Sequence, residues 1–388
     1  MIDIKGSAGQ SLQPLKEAFA SNFRDFSEEG AALAVVKDGK VLASLWAGTR
    51  DRAGNLPWLE DTCVNVFSAG KPLCAAVVMH LVDTGRLDLD VPVARYWPEF
   101  GSRGKEAVTT RQVLNHTSGL SAFHPRVKEP VIFDIASVNG LLEYETPWWE
   151  PGTAQGYSPF IYGWILAEIA RRVSGEVDYP TLFSRTLTQP LGMQAYLGVP
   201  TSAQGNLADV APLKKPLGST GSASKGANSA ALGQLMKADP RGVTNRAFAN
   251  PMSLMNSTNS EAWRGACIPA ANLHTNALSL AQFYGDLVSA SQPRVSCLSE
   301  FTRESSAAQD RVLGVHLRFG LGFMLSQDVD DCRYGSLQGF GHPGAGGSVG
   351  FADPATGIGF AYVTARLGQS LLIDARAQRL VQALSECV

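Results

Sequence analysis

Hydrophobic positions change their period twice along this chain. In residues 12–26, Leu15, Phe19 and Phe23 recur at helical spacing, predicting an amphipathic helix. Two apolar runs, 31–36 and 41–46, then flank Asp38-Gly39, a strong signal for a two-residue β-hairpin. An antiparallel pair this early argues against a core of parallel strands. From Ser68 to about Gln292 the pattern is mostly helical with long loops. Residues 73–82 are apolar on most sides, as in a core helix. Residues 110–115 form a short helix that Gly119 could close, and 161–173 and 278–287 read as longer ones. The last hundred residues turn strand-like at 319–324, 347–353 and 359–364, each bounded by Gly, Pro or Asp. A final helix is expected over 371–384. Strands at both ends around a helical middle predict an α+β fold, with one antiparallel sheet built from both termini. The expected domains are a discontinuous sheet domain, 1–72 with 293–388, and a mostly helical domain, 73–292. Any site is expected between them.

Composition narrows the class of partner. The 388 residues are 45% hydrophobic and 18% charged, enough for a large core. A net charge of −2 gives no reason to expect nucleic acid or an anionic membrane surface. No run of about 18 apolar residues exists, so no membrane span is expected. Residues 1–6 lack the apolar stretch of a secretory signal, which makes a cytoplasmic location the expectation. The six cysteines form no C-x-x-C pair and read as reduced thiols. The six histidines include no H-x-x-x-H, so neither a metal nor a cofactor is expected. His116 reads as a structural residue at a helix end.

Candidate chemistry starts at Ser68-Ala69-Gly70-Lys71. Residues three apart on a helix lie one above the other, so Lys71 can reach the Ser68 hydroxyl. Pro72 requires the helix to have just begun, because proline lacks the N–H that later turns use. Ser68 therefore sits at the positive helix end, where an oxyanion is stabilised and an ammonium is not. A lysine of lowered pKa can accept the serine proton. The same tetrapeptide pattern recurs at Ser222-Ala223-Ser224-Lys225, but in a Gly/Ser-rich stretch without apolar period, read as a solvated loop.

Such a pair needs a partner that passes the proton onward. Tyr157, in a loop after Trp148-Trp149-Glu150-Pro151-Gly152, is the best candidate. The run Gly341-His342-Pro343-Gly344-Ala345-Gly346-Gly347 precedes a strand, and its glycines allow close backbone approach. One N–H there, with that of Ser68, would make a two-donor oxyanion hole. His342 could bind substrate or the tyrosine. Gly346-Gly347-Ser348-Val349-Gly350 also fits G-x-S-x-G, but that elbow needs a strand before the serine and a helix after it. Here a glycine turn precedes and a strand-like run follows.

With these motifs in this order, the chain resembles the serine β-lactamase and penicillin-binding-protein superfamily, and most closely the family VIII carboxylesterases. The resemblance rests on Ser68-Ala69-Gly70-Lys71-Pro72, Leu87-Asp88-Leu89-Asp90-Val91-Pro92-Val93, Val113-Leu114-Asn115-His116-Thr117-Ser118-Gly119-Leu120, Tyr157-Ser158 and His342-Pro343-Gly344. Ala262-Trp263-Arg264, Ile268-Pro269-Ala270-Ala271-Asn272 and Ala281-Gln282-Phe283-Tyr284 are similar to the esterase branch. The resemblance implies a β-lactamase/transpeptidase-like fold, with Ser68 the nucleophile, Lys71 its base and Tyr157 the relay. It further implies that Ala345 gives the second oxyanion N–H, with His342 and Gly344 beside the substrate. Two positions depart from the lactam-processing pattern. Pro159 stands where class C enzymes carry an amide side chain, and His342 replaces a lysine that binds the lactam carboxylate. The implied activity is hydrolysis of short-chain carboxylic esters through an acyl-enzyme, with a small-molecule ester as substrate; the oligomeric state is not readable from the sequence. Acyl transfer to an alcohol, weak β-lactamase activity and a non-catalytic binding scaffold remain as alternatives.

Overall fold

The computed structural model describes residues 2–211, 227–251, 254–290, 295–368 and 370–388. The three N-terminal strands are β1 (Lys5–Ala8), β2 (Gly30–Lys37) and β3 (Lys40–Gly48). Three two-residue strands follow, β4 (Val64–Asn65), β5 (Ala195–Tyr196) and β6 (His274–Thr275). The C-terminal strands are β7 (Ser306–Gln309), β8 (His316–Phe319), β9 (Met324–Leu325), β10 (Phe340–Pro343), β11 (Val349–Asp353) and β12 (Ile358–Thr364). The first and last groups make one sheet in the order β1-β3-β2-β12-β11-β10-β9-β8-β7, every neighbour antiparallel. Its two sequence halves meet at β2 and β12, from Lys37 opposite Ile358 to Ala31 opposite Thr364. The sheet is thus drawn from both termini. Asp38 and Gly39 turn the first hairpin with positive φ at both positions, as a tight two-residue turn requires.

The core helices include α1 (Gln13–Asp25), α2 (Lys71–Asp83), α3 (Ile161–Ser174), α4 (Ala277–Val288) and α5 (Ala375–Ser385). Alternation along β2 sorts them into layers. Ala31, Leu33 and Val35 pack with Leu15 and Phe19 of α1 and with Leu380 and Leu384 of α5. Ala32, Ala34 and Val36 face the opposite core, with Leu73 and Val77 of α2 and Leu280 and Ala281 of α4. Helix α4 lies very close to the sheet: a Cβ on Gly359 would fall 2.1 Å from the Gly285 nitrogen. The sheet is therefore covered by a helix from inside the 73–292 stretch.

The expected single strand at 319–324 is corrected to two short strands. Phe319 pairs with Met324, and the residues between them turn the chain. The apparent alternation arises because Leu321 and Phe323 are buried while Gly320 and Gly322 bend the backbone, Gly322 at φ 86°. A Cβ at Gly322 would fall 2.2 Å from that of Ala75, so this turn wedges against α2.

A three-stranded sheet, β4-β6-β5, holds the chain that leads into α2. Val66, just past β4, donates its N–H to Leu273 O at 2.9 Å. All six cysteines are free. Among the described residues no helix is long and apolar enough to cross a membrane, and no cluster of three metal-binding side chains occurs.

Candidate active site

Helix α2 proper begins at Lys71, with Pro72 in its first turn, and Ser68 occupies a single 3₁₀ turn, Phe67–Gly70, that feeds it. Phe67 enters that turn with φ 50°, a conformation costly for a bulky side chain. Ser68 is half-buried beside wholly buried neighbours. Lys71 Nζ lies 3.0 Å from Ser68 Oγ, so the i,i+3 spacing brings the two groups into hydrogen-bond contact. Two backbone carbonyls complete the amine's surroundings: Pro159 O and Ala270 O each accept from Nζ at 2.9 Å.

Lys71 is fully buried, and among the described residues no carboxylate contacts its amine. Burial pushes its pKa down to about 7. At that pH about half of the amines are neutral, and the neutral form dominates above it. A neutral amine has two N–H groups and one lone pair. The two carbonyls match the N–H groups, which leaves the lone pair facing the Ser68 hydroxyl.

Tyr157 stands across from this pair, its ring centre 4.9 Å from Lys71 Nζ. Burial raises its phenol well above the ordinary tyrosine range, with a side-chain interaction from Ser68 pulling the other way. The phenol therefore holds its proton at neutral pH. Its loop is bound at successive peptides. Gly156 donates its N–H to His116 O at 2.9 Å, Tyr157 to Asp310 Oδ2 at 2.8 Å, and Ser158 to His116 Nδ1 at 3.2 Å. Ser158 Oγ accepts from the Tyr162 N–H in the first turn of α3.

His342 lies on β10 with its ring centre 5.9 Å from that of Tyr157. Its Nδ1 is 2.7 Å from Pro343 O, a group that only accepts, so the proton is on Nδ1. Nε2 is a buried acceptor without a protein partner among the described residues. Burial, reinforced by the nearby Lys71 charge, pushes its pKa down to about 3 and keeps the ring neutral. His116 is held below its usual range for the same two reasons, with His342 adding a third.

Past His342, the turn at 344–348 returns the chain into β11. Gly344 approaches the nucleophile turn so closely that a Cβ there would fall 2.1 Å from Val66 O and 3.5 Å from Ala69 N. The Ser68 N–H lies at an N-terminal turn position without an intrahelical acceptor, and Ala345 N–H donates to no protein acceptor among the described residues. Two uncommitted N–H groups are thus carried by segments in contact beside Ser68. From behind, buried Arg376 donates to Gly346 O while pairing with Glu28 and Asp374.

Ser68, Lys71, Tyr157, His342, Gly344 and Ala345 are therefore neighbours in the fold. The rival Ser222–Lys225 pair lies outside the described residues. Ser348 of the G-x-S-x-G run sits in a hairpin, buried, its hydroxyl accepting from the Thr364 N–H at 3.2 Å. Trp148 and Trp149 are half-buried, whereas Phe123 and Phe340 belong to the core. Sequence reasoning missed Asp310 and the side-chain contacts of His116. Asp310 carried only a turn signal, since it is 153 residues from its Tyr157 partner.

A family model described as Beta-lactamase matches residues 19–383. The esterase/β-lactamase LipL of Mycobacterium tuberculosis is 32% identical over 388 aligned positions, spanning 96% of this chain and 86% of that protein. The crystal structure of a family VIII carboxylesterase matches with a TM-score of 0.88 and 31% identity, covering all of both chains. A penicillin-binding protein homologue from Caulobacter crescentus matches with a TM-score of 0.87 and 32% identity, again over both whole chains.

Proposed function

This chain belongs to the β-lactamase family, as a serine hydrolase of its esterase-like branch, and we propose that it cleaves short-chain, uncharged carboxylic esters through an acyl-enzyme on Ser68. The observation that carries the proposal is the fully buried Lys71 amine, 3.0 Å from the Ser68 hydroxyl, with no carboxylate among the described residues to keep it charged. In this reading the Lys71 lone pair takes the Ser68 proton as Oγ bonds to the ester carbon. The Ser68 and Ala345 N–H groups hold the resulting oxyanion. Collapse breaks the bond to the alcohol oxygen, which takes the Tyr157 proton, and the Lys71 ammonium returns a proton to Tyr157. Water then attacks the acyl carbon, its proton passing to the same relay, and the acid leaves with Ser68 restored.

The substrate class follows from charge. A lactam carboxylate needs a cation, and the position that the family resemblance gives to a lysine is His342, neutral here down to about 3. Pro159 offers its carbonyl to Lys71 and has no side-chain amide for a lactam. Both changes favour neutral esters.

The test is a panel of p-nitrophenyl esters of graded acyl length, with nitrocefin alongside, on wild type and Ser68→Ala. Short esters should turn over well and nitrocefin poorly. Ser68→Ala should lose nearly all ester turnover, and a fluorophosphonate probe should label wild type only. Wild-type rates in Ser68→Ala would sink the proposal, and absent labelling would favour a binding scaffold.

A further inference from the structure

Tyr157 is fixed more firmly by its backbone than by its side chain. The three consecutive N–H groups from Gly156 to Ser158 go to only two residues, His116 and Asp310. Asp310 lies between β7 and β8 and is 1% exposed. Its Oδ1 accepts from the Val312 and Leu313 N–H groups, both at 2.9 Å, closing its own turn. Its Oδ2 accepts from Tyr157 at 2.8 Å and from Gln155 Nε2 at 3.4 Å. All these donors are neutral, so among the described residues no cation pairs with this buried carboxylate, an arrangement that is costly to keep. Any short polar side chain could close the 310–313 turn. Only one with two acceptor oxygens can close it and also hold the Tyr157 N–H.

His116 supplies the other half. Its backbone is left-handed, at φ 61°, which turns both its carbonyl and its ring toward the 156–158 loop. Nδ1 accepts from Ser158, which assigns the ring proton to Nε2. The ring lies 4.9 Å from that of Tyr157 and 4.7 Å from that of Phe319, which itself stacks on Tyr157 at 6.4 Å. A phenol gripped on one face and at three peptides has little freedom to swing.

We propose that Asp310 and His116 are positioning residues that aim the Tyr157 hydroxyl at the departing alcohol oxygen. The proposal rests on the reading of Tyr157 as the proton relay. Its consequence depends on the leaving group. An alkoxide must be protonated as it departs, whereas p-nitrophenolate leaves readily without help. Misaiming the phenol therefore harms acylation by alkyl esters far more than acylation by p-nitrophenyl esters, while hydrolysis of the shared acyl-enzyme is affected equally. General loosening of the fold harms both alike.

Asp310→Asn isolates the effect. The single amide oxygen can still close the 310–313 turn, but the amide nitrogen then faces the Tyr157 N–H, donor against donor. For ethyl butyrate, kcat/KM, which is set by acylation, should fall about tenfold or more, and kcat/KM for p-nitrophenyl butyrate should fall much less. Equal losses on both esters, or no loss, would overturn the proposal. A second pair covers the case where Asp310→Asn does not fold. His116→Asn and His116→Gly both tolerate a left-handed backbone and both lose the ring, but only Asn supplies an acceptor for Ser158. The Gly variant should show the alkyl-ester-selective loss and the Asn variant should recover much of it; identical behaviour overturns the clamp. Tyr157→Phe run on the same esters separates the two levels. Full alkyl-ester activity in Tyr157→Phe removes the relay and the clamp together. Loss there with wild-type selectivity in the Asp310 and His116 variants removes the clamp alone.

Discussion

In its proposed role as base, Lys71 depends on having no acid among the described residues to offset its desolvation. An acid within reach would stabilise the ammonium and raise the pKa, whereas two carbonyls and an apolar surround let burial bring it to about 7. Two outcomes follow for activity. Since the free enzyme needs the neutral amine, kcat/KM for p-nitrophenyl butyrate should climb about tenfold per pH unit below neutrality and level off above about 7. Lys71→Arg keeps charge and donors but cannot surrender a proton, so kcat should drop by roughly three orders of magnitude at every accessible pH. A flat acid limb in the wild type, or an active arginine variant, would assign the base elsewhere. At this scale the sequence was readable where partners are close: Ser68 and Lys71 are three residues apart. The carbonyls that hold the Lys71 amine come from 88 and 199 residues away, and backbone oxygens leave no mark in side-chain identity.

Between elements, the site depends on how closely the β10–β11 turn approaches the 3₁₀ turn that carries Ser68. Gly344 sets that distance, and the buried Arg376, Glu28 and Asp374 group behind Gly346 blocks retreat. Gly344→Ala would place a methyl 2.1 Å from Val66 O, against backbone that cannot swing aside. The two segments must then part, and misplacement of about 1 Å at reacting groups can cost on the order of 100-fold. A loss of that size in kcat/KM is expected, with fluorophosphonate labelling slowed in proportion and only a small change in Tm. Full activity would mean that the turn does not border the reacting carbonyl. Glycine density in residues 341–347 announced close approach from the sequence. What it approaches was unreadable, because Val66 contributes only its carbonyl. The 319–324 run misled for a related reason: glycines at alternate positions mimic a strand's period while supplying the bends of a turn.

Across the whole molecule, a sheet drawn from both termini encloses a core that must keep several basic side chains uncharged. His274 and His342 are each pushed by burial to about 3 from an ordinary 6.5, and His116 is lowered in the same direction. The terminal strand pattern made this sheet legible, yet nothing in it marked which histidines would be interior. Below 6.5 the unfolded chain binds protons that the folded one refuses, so stability rises with pH throughout that window and is lost on acidification. At about pH 5 the histidines at 274 and 342 should each cost on the order of 2 kcal/mol relative to neutral pH. Asp310 opposes them, since burial raises its pKa and acid therefore relieves it, but it is one group against three. The urea midpoint should accordingly fall by a clear margin between about pH 7.5 and about pH 5. In His274→Asn and His342→Asn variants the acid-side slope should shrink, even where the neutral-pH midpoint is itself lower. A midpoint unchanged over that range, or a slope indifferent to both substitutions, would mean that these imidazoles take up protons within the folded core.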